Sequence, residues 1–317
     1  MKKMMMLAMA AVCALGAWTA SAVDAVQLWE GGPYFATCNV GASSPEEYGY
    51  YFWWGDTVGY EWTGSQFNAV DGSSSGFSFT YTSAAGATYG KDISALNEAG
   101  YTDESGNLVA AYDAATVKLG APWRIPTQAE WQALVDNCTR EWTTVNNVSG
   151  WRVTGKDAYN GNSIFLPVAG FGLYSDLTTG RGHIWSATAS SSSSSTAYCI
   201  SISSSSFSVT SPARNCGVPI RPVYTPAKIG EVCYASFEDA VATAKAGDTV
   251  TLLCDTTISG TAKVNASGVT IDLGTNTLTR ARCRYMRHMV GSSSGLTSDN
   301  GKVYVLNSCG GCALLRC

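Results

Sequence analysis

The sequence predicts an α+β domain with a small antiparallel sheet, followed by a partial all-β segment that opens with a helix. Every tryptophan after Trp18 lies between Trp29 and Trp185, so the first part of the chain has a composition of its own. In that part, apolar and hydroxyl residues alternate in two short runs, which is typical of a hairpin with one buried face. Beyond residue 228, short runs of Val, Ile and Thr recur between glycine and asparagine turns, which indicates further strands.

The first 22 residues predict a secretory signal peptide. Lys2 and Lys3 form its positive start, an apolar run follows from Met4 to Trp18, and residues 20–22 (ASA) match a cleavage site. The apolar run is shorter than the roughly 20 residues that a transmembrane helix needs, so we favour cleavage near Ala22 over a membrane anchor. We therefore expect a mature chain that starts near Val23, has no membrane span, and is secreted or held at a bacterial cell surface or in the periplasm.

Charge separates two parts of the mature chain. Only 14% of the residues are charged, against about 25% in an ordinary soluble domain. Residues 23–227 carry nine basic and 17 acidic residues, whereas residues 228–317 carry nine and seven. The net charge of −4 and the lack of a long basic run argue against a dedicated nucleic-acid-binding protein, so we expect no nucleic-acid partner. The proline-punctuated connector 221–227 predicts a boundary between a domain over 23–227 and a second region.

Local signals predict the elements of the first domain. Pro126 and a capping box of Thr127 and Glu130 predict a helix start, and a second helix is expected from Asp113 to Leu119. Ser163 to Val168 is expected to be a buried strand. The hairpin is expected to alternate apolar and hydroxyl residues, with a change of phase after Ser204–Ser205. Its apolar residues are Tyr198, Ile200, Ile202, Phe207 and Val209, and the residues between them are Cys199, Ser201, Ser203, Ser206, Ser208 and Thr210.

The second region begins with a capped helix. Ser236 and Asp239 predict its start and Gly247 its end, and short strands are expected around Val250, Ile258, Val264, Val269 and Leu278. Residues 236–279 resemble the N-terminal cap and first rungs of right-handed parallel β-helix proteins of the pectate-lyase kind. The resemblance implies a stack of rungs that bury one another. The fragment has no room for a lyase groove, so polysaccharide cleavage is not expected.

Residues 280–317 do not continue this pattern. Residues 280–288 (RARCRYMRH) are basic, and the rest is rich in Gly, Ser and Cys. We expect a poorly packed tail from a truncated or frame-shifted gene, with a basic binding patch as the alternative. Ten cysteines follow Cys13, and their pairing is not readable from the sequence. Cys309 and Cys312 have the spacing of redox and metal sites, but we favour a thiol pair without function.

Seven short motifs follow one another in the first domain. They are residues 36–42 (ATCNVGA), 46–57 (EEYGYYFWWGDT), 113–115 (DAA), 123–127 (WRIPT) with Glu130, 164–170 (IFLPVAG), 184–188 (IWSAT) and 220–223 (IRPV). In this order they resemble the major paralogous domain repeated in secreted proteins of Fibrobacter succinogenes and Bacteroidetes-type bacteria, over about residues 25–224. The resemblance implies a C-type-lectin-like fold, which is shared with formylglycine-generating enzymes.

A shared fold does not transfer a function. The sequence lacks the Glu-Pro-Asn, Gln-Pro-Asp and Trp-Asn-Asp motifs with which calcium-dependent lectins hold Ca²⁺. Cys199 and Cys216 lie in the region where formylglycine-generating enzymes carry a reactive pair, but no base is evident beside them. His183 is interpreted as a loop residue. We therefore expect no catalytic residue, no metal and no cofactor.

The remaining hypothesis is a non-enzymatic, adhesin-like binding module whose hairpin contacts an unknown extracellular glycan or protein. The predicted contact residues are Trp185, Tyr198, Ser201, Ser203, Ser205, Ser206, Ser208, Arg214 and Asn215. The alternatives are a structural spacer of a larger surface protein and the diversified target of a retroelement. The latter would explain serines where the family usually carries Tyr, Phe and Asn, although we favour ordinary drift.

Two further features have competing interpretations. The aromatic residues Tyr50 to Trp54, with Tyr60 and Trp62, suit a carbohydrate platform or a packed core, and we favour the core. The serine run 190–195 is expected to be an exposed loop, and we favour a flexible connector over a loop that shapes a binding surface.

Overall fold

The computed structural model describes most of the chain from Asp24 onward. The described residues are 24–280 except Gly31, 82–86, Ala121, Glu231, Ala235, 254–255, 259–261, Thr275 and Thr277, together with 296–299, 302–305 and 313–314. The predicted signal peptide therefore lies outside the described residues, as do Cys254, the basic run after Arg280 and the Cys309–Cys312 pair. Those expectations stay predictions.

Helices are few and short. The α-helices are α1 (Ile93–Glu98), α2 (Ala114–Leu119), α3 (Gln128–Asn137) and α4 (Phe237–Thr243), and single turns of 3-10 helix cover Ala110–Tyr112 and Asp157–Tyr159. None of the described helices is long and apolar enough to cross a membrane.

Short strands make up most of the remaining regular structure. They are β1 (Ala25–Gln27), β2 (Tyr34–Ala36), β3 (Tyr60–Trp62), β4 (Phe67–Ala69), β5 (Ser75–Phe77), β6 (Trp123–Arg124), β7 (Thr139–Val145), β8 (Val148–Thr154), β9 (Ser163–Pro167), β10 (Phe171–Leu173), β11 (Asp176–Thr178), β12 (Gly182–Ala189), β13 (Ala197–Ser203), β14 (Ser206–Thr210), β15 (Val223–Tyr224), β16 (Ala227–Ile229), β17 (Val232–Tyr234), β18 (Thr249–Leu252), β19 (Thr256–Ile258), β20 (Lys263–Val264), β21 (Thr270–Asp272), β22 (Leu278–Arg280), β23 (Leu296–Asp299), β24 (Lys302–Val305) and β25 (Ala313–Leu314).

The first region consists of small antiparallel sheets, which confirms a mainly β or α+β fold. Its three-stranded sheets are β3-β4-β5, β7-β8-β9 and β12-β13-β14. A fourth sheet has the order β1-β2-β15-β6, so the last strand of the region lies between β2 and β6. Val223 is the central residue of this arrangement, because it pairs with Phe35 on one side and with Arg124 on the other.

The predicted local elements of this region are confirmed. Thr127 accepts a hydrogen bond from the backbone of Glu130, whose carboxylate accepts one from the backbone of Thr127, so the capping box before α3 is complete. Asp113 caps α2. The strand at 163–167 is buried after its first residue. Ser204 and Ser205 form the turn of the predicted hairpin.

The sheet β12-β13-β14 has a hydrophobic cluster on each face. One cluster contains Trp185 and Cys199 together with Phe52 and Trp54. The other contains the isoleucines of β12 and β13, which pack with Trp131 and Leu134 of α3. Most of the aromatic segment predicted to be core is in fact core, since the exposed fractions of Tyr51, Phe52, Trp54 and Tyr60 are 1%, 0%, 1% and 7%.

A buried arginine near the end of the first region forms hydrogen bonds with residues near its beginning. The side chain of Arg221 is fully buried and donates four hydrogen bonds. Its acceptors are Asn39 Oδ1 at 2.8 Å, the carbonyls of Ala36 and Thr37 at 3.1 and 2.8 Å, and the carbonyl of Phe165 at 2.9 Å. The contacts to Asn39, Ala36 and Phe165 are buried and that to Thr37 is partly buried, so the guanidinium replaces hydration that most of these groups have lost.

The second region has a separate apolar core. Phe237, Ala240 and Val241 of α4 pack against Val250 and Ile271. Helix α4 ends at Thr243, earlier than the predicted end at Gly247. The chain turns there because Asp248 accepts a hydrogen bond from the backbone of Lys245 at 2.8 Å, which closes a turn in place of another helical one.

Two parallel strand pairs occur in this region, β18 with β21 and β19 with β22. Their neighbours are antiparallel, because β16 pairs with β18 and β24 pairs with β21. The described residues therefore form a mixed sheet and show no β-helix. Beyond Arg280, β23 and β24 continue this sheet and β25 pairs with β20.

Candidate functional site

The β13–β14 hairpin places serine side chains opposite one another. Ser201 pairs with Ser208 and Ser203 pairs with Ser206, so the four serines share one face. The residues between them, such as Ile200 and Ile202, are fully buried on the other face. The alternation of the sequence therefore produces the hydroxyl-rich face that it predicts.

The outer part of this face is open to solvent and carries no charge. Ser205, Ser206 and Ser208 are exposed, and Ser201 and Ser203 are half-buried. The predicted contact residue Tyr198 is half-buried and lies on the opposite face, with Ile200 and Ile202. The chain from Ile184 to Ala213 contains no Asp, Glu, Lys or Arg. Such a surface offers neutral donors and acceptors, which suits a ligand recognised through hydroxyl or amide groups rather than through charge.

Three predicted contact residues lie in the interior beneath this face. The exposed fractions of Trp185, Arg214 and Asn215 are 1%, 0% and 9%. Trp185 donates from Nε1 to the carbonyl of Phe52 at 2.7 Å, as expected of a core indole. None of the three reaches the surface in this structure, and Trp185 on β12 is covered by the segments around Phe52 and Pro219.

Arg214 has a structural role that the sequence does not reveal. Its Nε donates to Thr196 O at 2.9 Å, and its Nη1 donates to the carbonyls of Thr88 and Lys91 at 2.7 Å each. The guanidinium lies 4.9 Å from the ring centroid of Trp54, a cation–π contact. Arg214 thereby fixes the chain around residue 90 to the start of the hairpin.

The serine run is better anchored than the predicted flexible connector. Ser191 and Ser192 are exposed, but Ser190 is only 2% exposed. The carbonyl of Ser194 accepts from Gly90 N at 3.0 Å, and that of Ser195 accepts from Arg214 N at 2.8 Å. The run is therefore a short loop with both ends hydrogen-bonded.

An aromatic ladder that sequence reasoning missed runs beside the hairpin. We give this name to Trp142, Trp151 and Phe207, whose neighbouring ring centroids are 5.6 and 5.8 Å apart. The guanidinium of Arg140 lies 5.1 Å from the Phe207 centroid. Trp142 is 36% exposed, so the outer end of the ladder is accessible.

The ladder lies on the face of the hairpin opposite the serines, since Phe207 pairs with Ile202 and packs with Trp151 against the isoleucine cluster, and one hydrogen bond joins it to the hairpin backbone. Trp151 Nε1 donates to the carbonyl of Ser203 at 2.9 Å. The sequence does carry a signal for the Trp142–Trp151 pair, namely the two adjacent asparagines Asn146 and Asn147. Asparagine favours the positive φ that a two-residue hairpin turn needs, and both residues adopt it at the tip of the β7–β8 hairpin. In a hairpin with this turn, residues equally far from the turn on the two strands pair with each other, so Trp142 and Trp151 are expected to pair, and they do.

A buried imidazole lies beside Cys199, contrary to the expectation that no base accompanies this thiol. His183 Nδ1 is 3.5 Å from Cys199 Sγ, and His183 is 8% exposed rather than a surface loop residue. Burial raises the pKa of Cys199 well above its usual value and that of Cys216 to about 11. Burial also lowers the pKa of His183 to about 4. The neutral forms are thus favoured, whereas a nucleophilic cysteine needs the thiolate.

The described residues contain no group of three or more His, Cys, Asp or Glu side chains placed to hold a metal ion. Among them, Cys38, Cys138, Cys199 and Cys216 are free thiols.

The buried His183 predicts a loss of stability in mild acid. Its folded-state pKa of about 4 lies below the unfolded value of about 6.5, so the unfolded chain binds the proton first as the pH falls. The contribution is fully present above pH 6.5, and we expect about 2 kcal/mol of it to be lost at pH 5. Urea unfolding at pH 8 and pH 5 measures this loss.

The matched comparison is His183→Gln, which cannot titrate in this range. The carboxylates common to both proteins cancel in the difference, so the variant should show a pH dependence weaker by about 2 kcal/mol. Equal losses in the two proteins would show that His183 is not responsible.

Comparison with known proteins adds no assignment. No family model, curated protein or solved structure matches this chain. The hairpin, the ladder and the buried residues beneath them are therefore the observations from which a function is inferred.

Proposed function

We propose that the chain is a secreted or surface-displayed, non-enzymatic binding module whose β13–β14 hairpin contacts an extracellular glycan or protein. The observation that carries the proposal is the paired serine face. Its serines are exposed toward the turn, while the opposite face is packed against α3 and needs no partner. A strand pair that is stable without a ligand and presents uncharged hydroxyls is suited to recognition.

The scaffold we propose is the C-type-lectin-like fold of the major paralogous domain family. The small antiparallel sheets, the short helices and the position of β15 in the interior of the first sheet support this proposal. Under it, the diversified-hairpin hypothesis concerns the same surface. Sequence changes among close relatives that are confined to codons with adenines, between Ser186 and Cys216, would distinguish diversification from drift.

A glycan and protein array probed with the chain from Val23 onward tests the function. We expect a specific binder that Ser206→Ala/Ser208→Ala weakens about thirtyfold, because two hydrogen bonds of about 1 kcal/mol each are removed. Ser163→Ala is the matched control, since Ser163 is an exposed serine at the start of β9. Binding that survives the double substitution would place the contact elsewhere.

A structural spacer is the second candidate, and the parallel pairs β18–β21 and β19–β22 favour it. Parallel pairs joined through a crossover are the way a solenoid adds rungs, so residues 228–279 suit the start of a stalk. A folded chain that binds nothing on the arrays would overturn the binding function and leave the spacer.

A further inference from the structure

A second surface, away from the hairpin, has the form of a ligand site. It is a groove of about 1010 Å³ whose walls come from both regions of the chain. Trp29 and Trp123 line it from the first region, and Lys228 and Asn276 line it from the second. The volume is at the upper end of the usual range for small-molecule pockets, and such pockets are common where two units of a chain meet.

The two tryptophans are held in fixed positions. The ring of Trp29 lies 5.9 Å from that of Phe35, and the ring of Trp123 lies 5.6 Å from that of Tyr224. A Cβ atom on Gly32 would come within 2.4 Å of the Trp29 indole, so only glycine lets the indole lie against this backbone. Both rings are half-buried, which leaves part of each toward the groove. Rigid, partly exposed indoles lose little entropy when a ligand stacks on them.

The acidic groups of the groove are occupied by contacts within the protein. Arg124 Nη1 donates to Glu130 at 2.7 Å, and this charge pair lies in the floor. Burial raises the pKa of Glu130, but the charge of Arg124 and the hydrogen bonds outweigh burial and lower it overall. Asp113 accepts from Thr116 N and Ile125 N, and Asp103 accepts from Ser105 N and Asn107 N. The lining as a whole carries three acidic side chains, Asp103, Asp113 and Glu130, and two basic ones, Arg124 and Lys228, so neither sign of charge dominates the groove.

Neutral polar groups complete the lining. Asn107 is fixed by a hydrogen bond from Thr188 Oγ1 to its Oδ1 at 2.6 Å, and Asn276 by one from its Nδ2 to Leu252 O at 2.9 Å. Fixed amides beside rigid indoles suit a ligand that has apolar C–H faces and many hydroxyls. From these residues we propose that the groove binds a neutral oligosaccharide.

This site is independent of the proposed hairpin contact. Strand β12 touches the groove at Ala187, whereas Gly182 at its other end pairs with Ile202 near the hairpin turn. Gly182 and Ala187 are five residues apart, so at roughly 3.3 Å per residue they lie about 17 Å from each other. A ligand in the groove leaves the serine face uncovered.

The experiment is a titration of the chain from Val23 onward with cello-, xylo- and malto-oligosaccharides, followed by tryptophan fluorescence and calorimetry. We expect at least one of these neutral sugars to bind, and we expect Trp123→Ala to weaken that binding by tenfold or more. Ala129→Arg, at an exposed helix position that lines the groove, should block binding without disturbing the core.

Trp142→Ala is the matched control, because it removes an exposed tryptophan of the aromatic ladder and should leave the affinity unchanged. Circular dichroism establishes that each variant is folded, and Ala129→Arg keeps the test valid if Trp123→Ala does not fold. The proposal is overturned if none of these neutral oligosaccharides binds, or if binding survives both groove variants. Ser206→Ala/Ser208→Ala should not alter this binding, so failure of the hairpin function and failure of the groove are distinguishable.

Discussion

Replacement of Arg221 by methionine is expected to lower the free energy of unfolding of the first region by about 4 kcal/mol. Methionine fills part of the space but leaves the carbonyls of Ala36, Thr37 and Phe165 and the amide oxygen of Asn39 without their donor. Buried acceptors that lose a partner cost about 1–3 kcal/mol each, although such costs are not additive. Urea unfolding of the chain, followed by tryptophan fluorescence, measures the change.

Two further variants define what Arg221 contributes. Arg221→Lys keeps a positive charge but has no planar fork to reach all four acceptors, so it should be nearly as destabilising. Arg152→Met removes an arginine whose side chain is 46% exposed and should change stability by less than about 0.5 kcal/mol. A loss below 1 kcal/mol for Arg221→Met would mean that water replaces the guanidinium.

The second large effect is expected for Trp185→Ala, with a loss of about 4 kcal/mol. The indole is 1% exposed, lies in the cluster with Phe52 and Trp54, and donates to the carbonyl of Phe52. Trp185→Phe keeps most of the packing but not the donor, so a smaller loss of about 1–3 kcal/mol is expected. Thermal and urea unfolding distinguish the two contributions.

Trp142→Ala provides the comparison for a tryptophan at the surface. Its ring is 36% exposed and contacts Trp151 edge-on, so we expect a loss of about 1 kcal/mol. If Trp185→Ala proved as mild as Trp142→Ala and instead abolished ligand binding, Trp185 would be a contact residue rather than a core residue.

Elements with local causes were predictable from the sequence. The capping box of Thr127 and Glu130, the N-cap Asp113 and the turn at Ser204–Ser205 all follow from residues a few positions apart. The end of α4 was misplaced because the Asp248 side chain closes a turn, and helix periodicity carries no information on that contact.

The candidate site was predictable in its pattern but not in its depth. Alternation fixes which side chains share a face, and the serine pairs follow from it. It does not say which part of a face is covered. Trp185 lies on the same face as Ser201, yet segments more than 30 residues distant cover the tryptophan and leave the outer serines open. The aromatic ladder could be recognised only once the β7–β8 hairpin was placed beside Phe207. The groove could be recognised only once both regions were placed together.

The position of β15 sets the order in which the first region is completed. Strands β2 and β6 are made early in the chain, but each pairs with β15, which is synthesised last in this region. Arg221, two residues before β15, supplies the hydrogen bonds that join residues 36–39 to Phe165. Closure over such sequence distances is slow and comes late in folding. A nascent chain that stops short of Tyr224 therefore keeps two unpaired strand edges, which favours handling by chaperones until the final strand emerges.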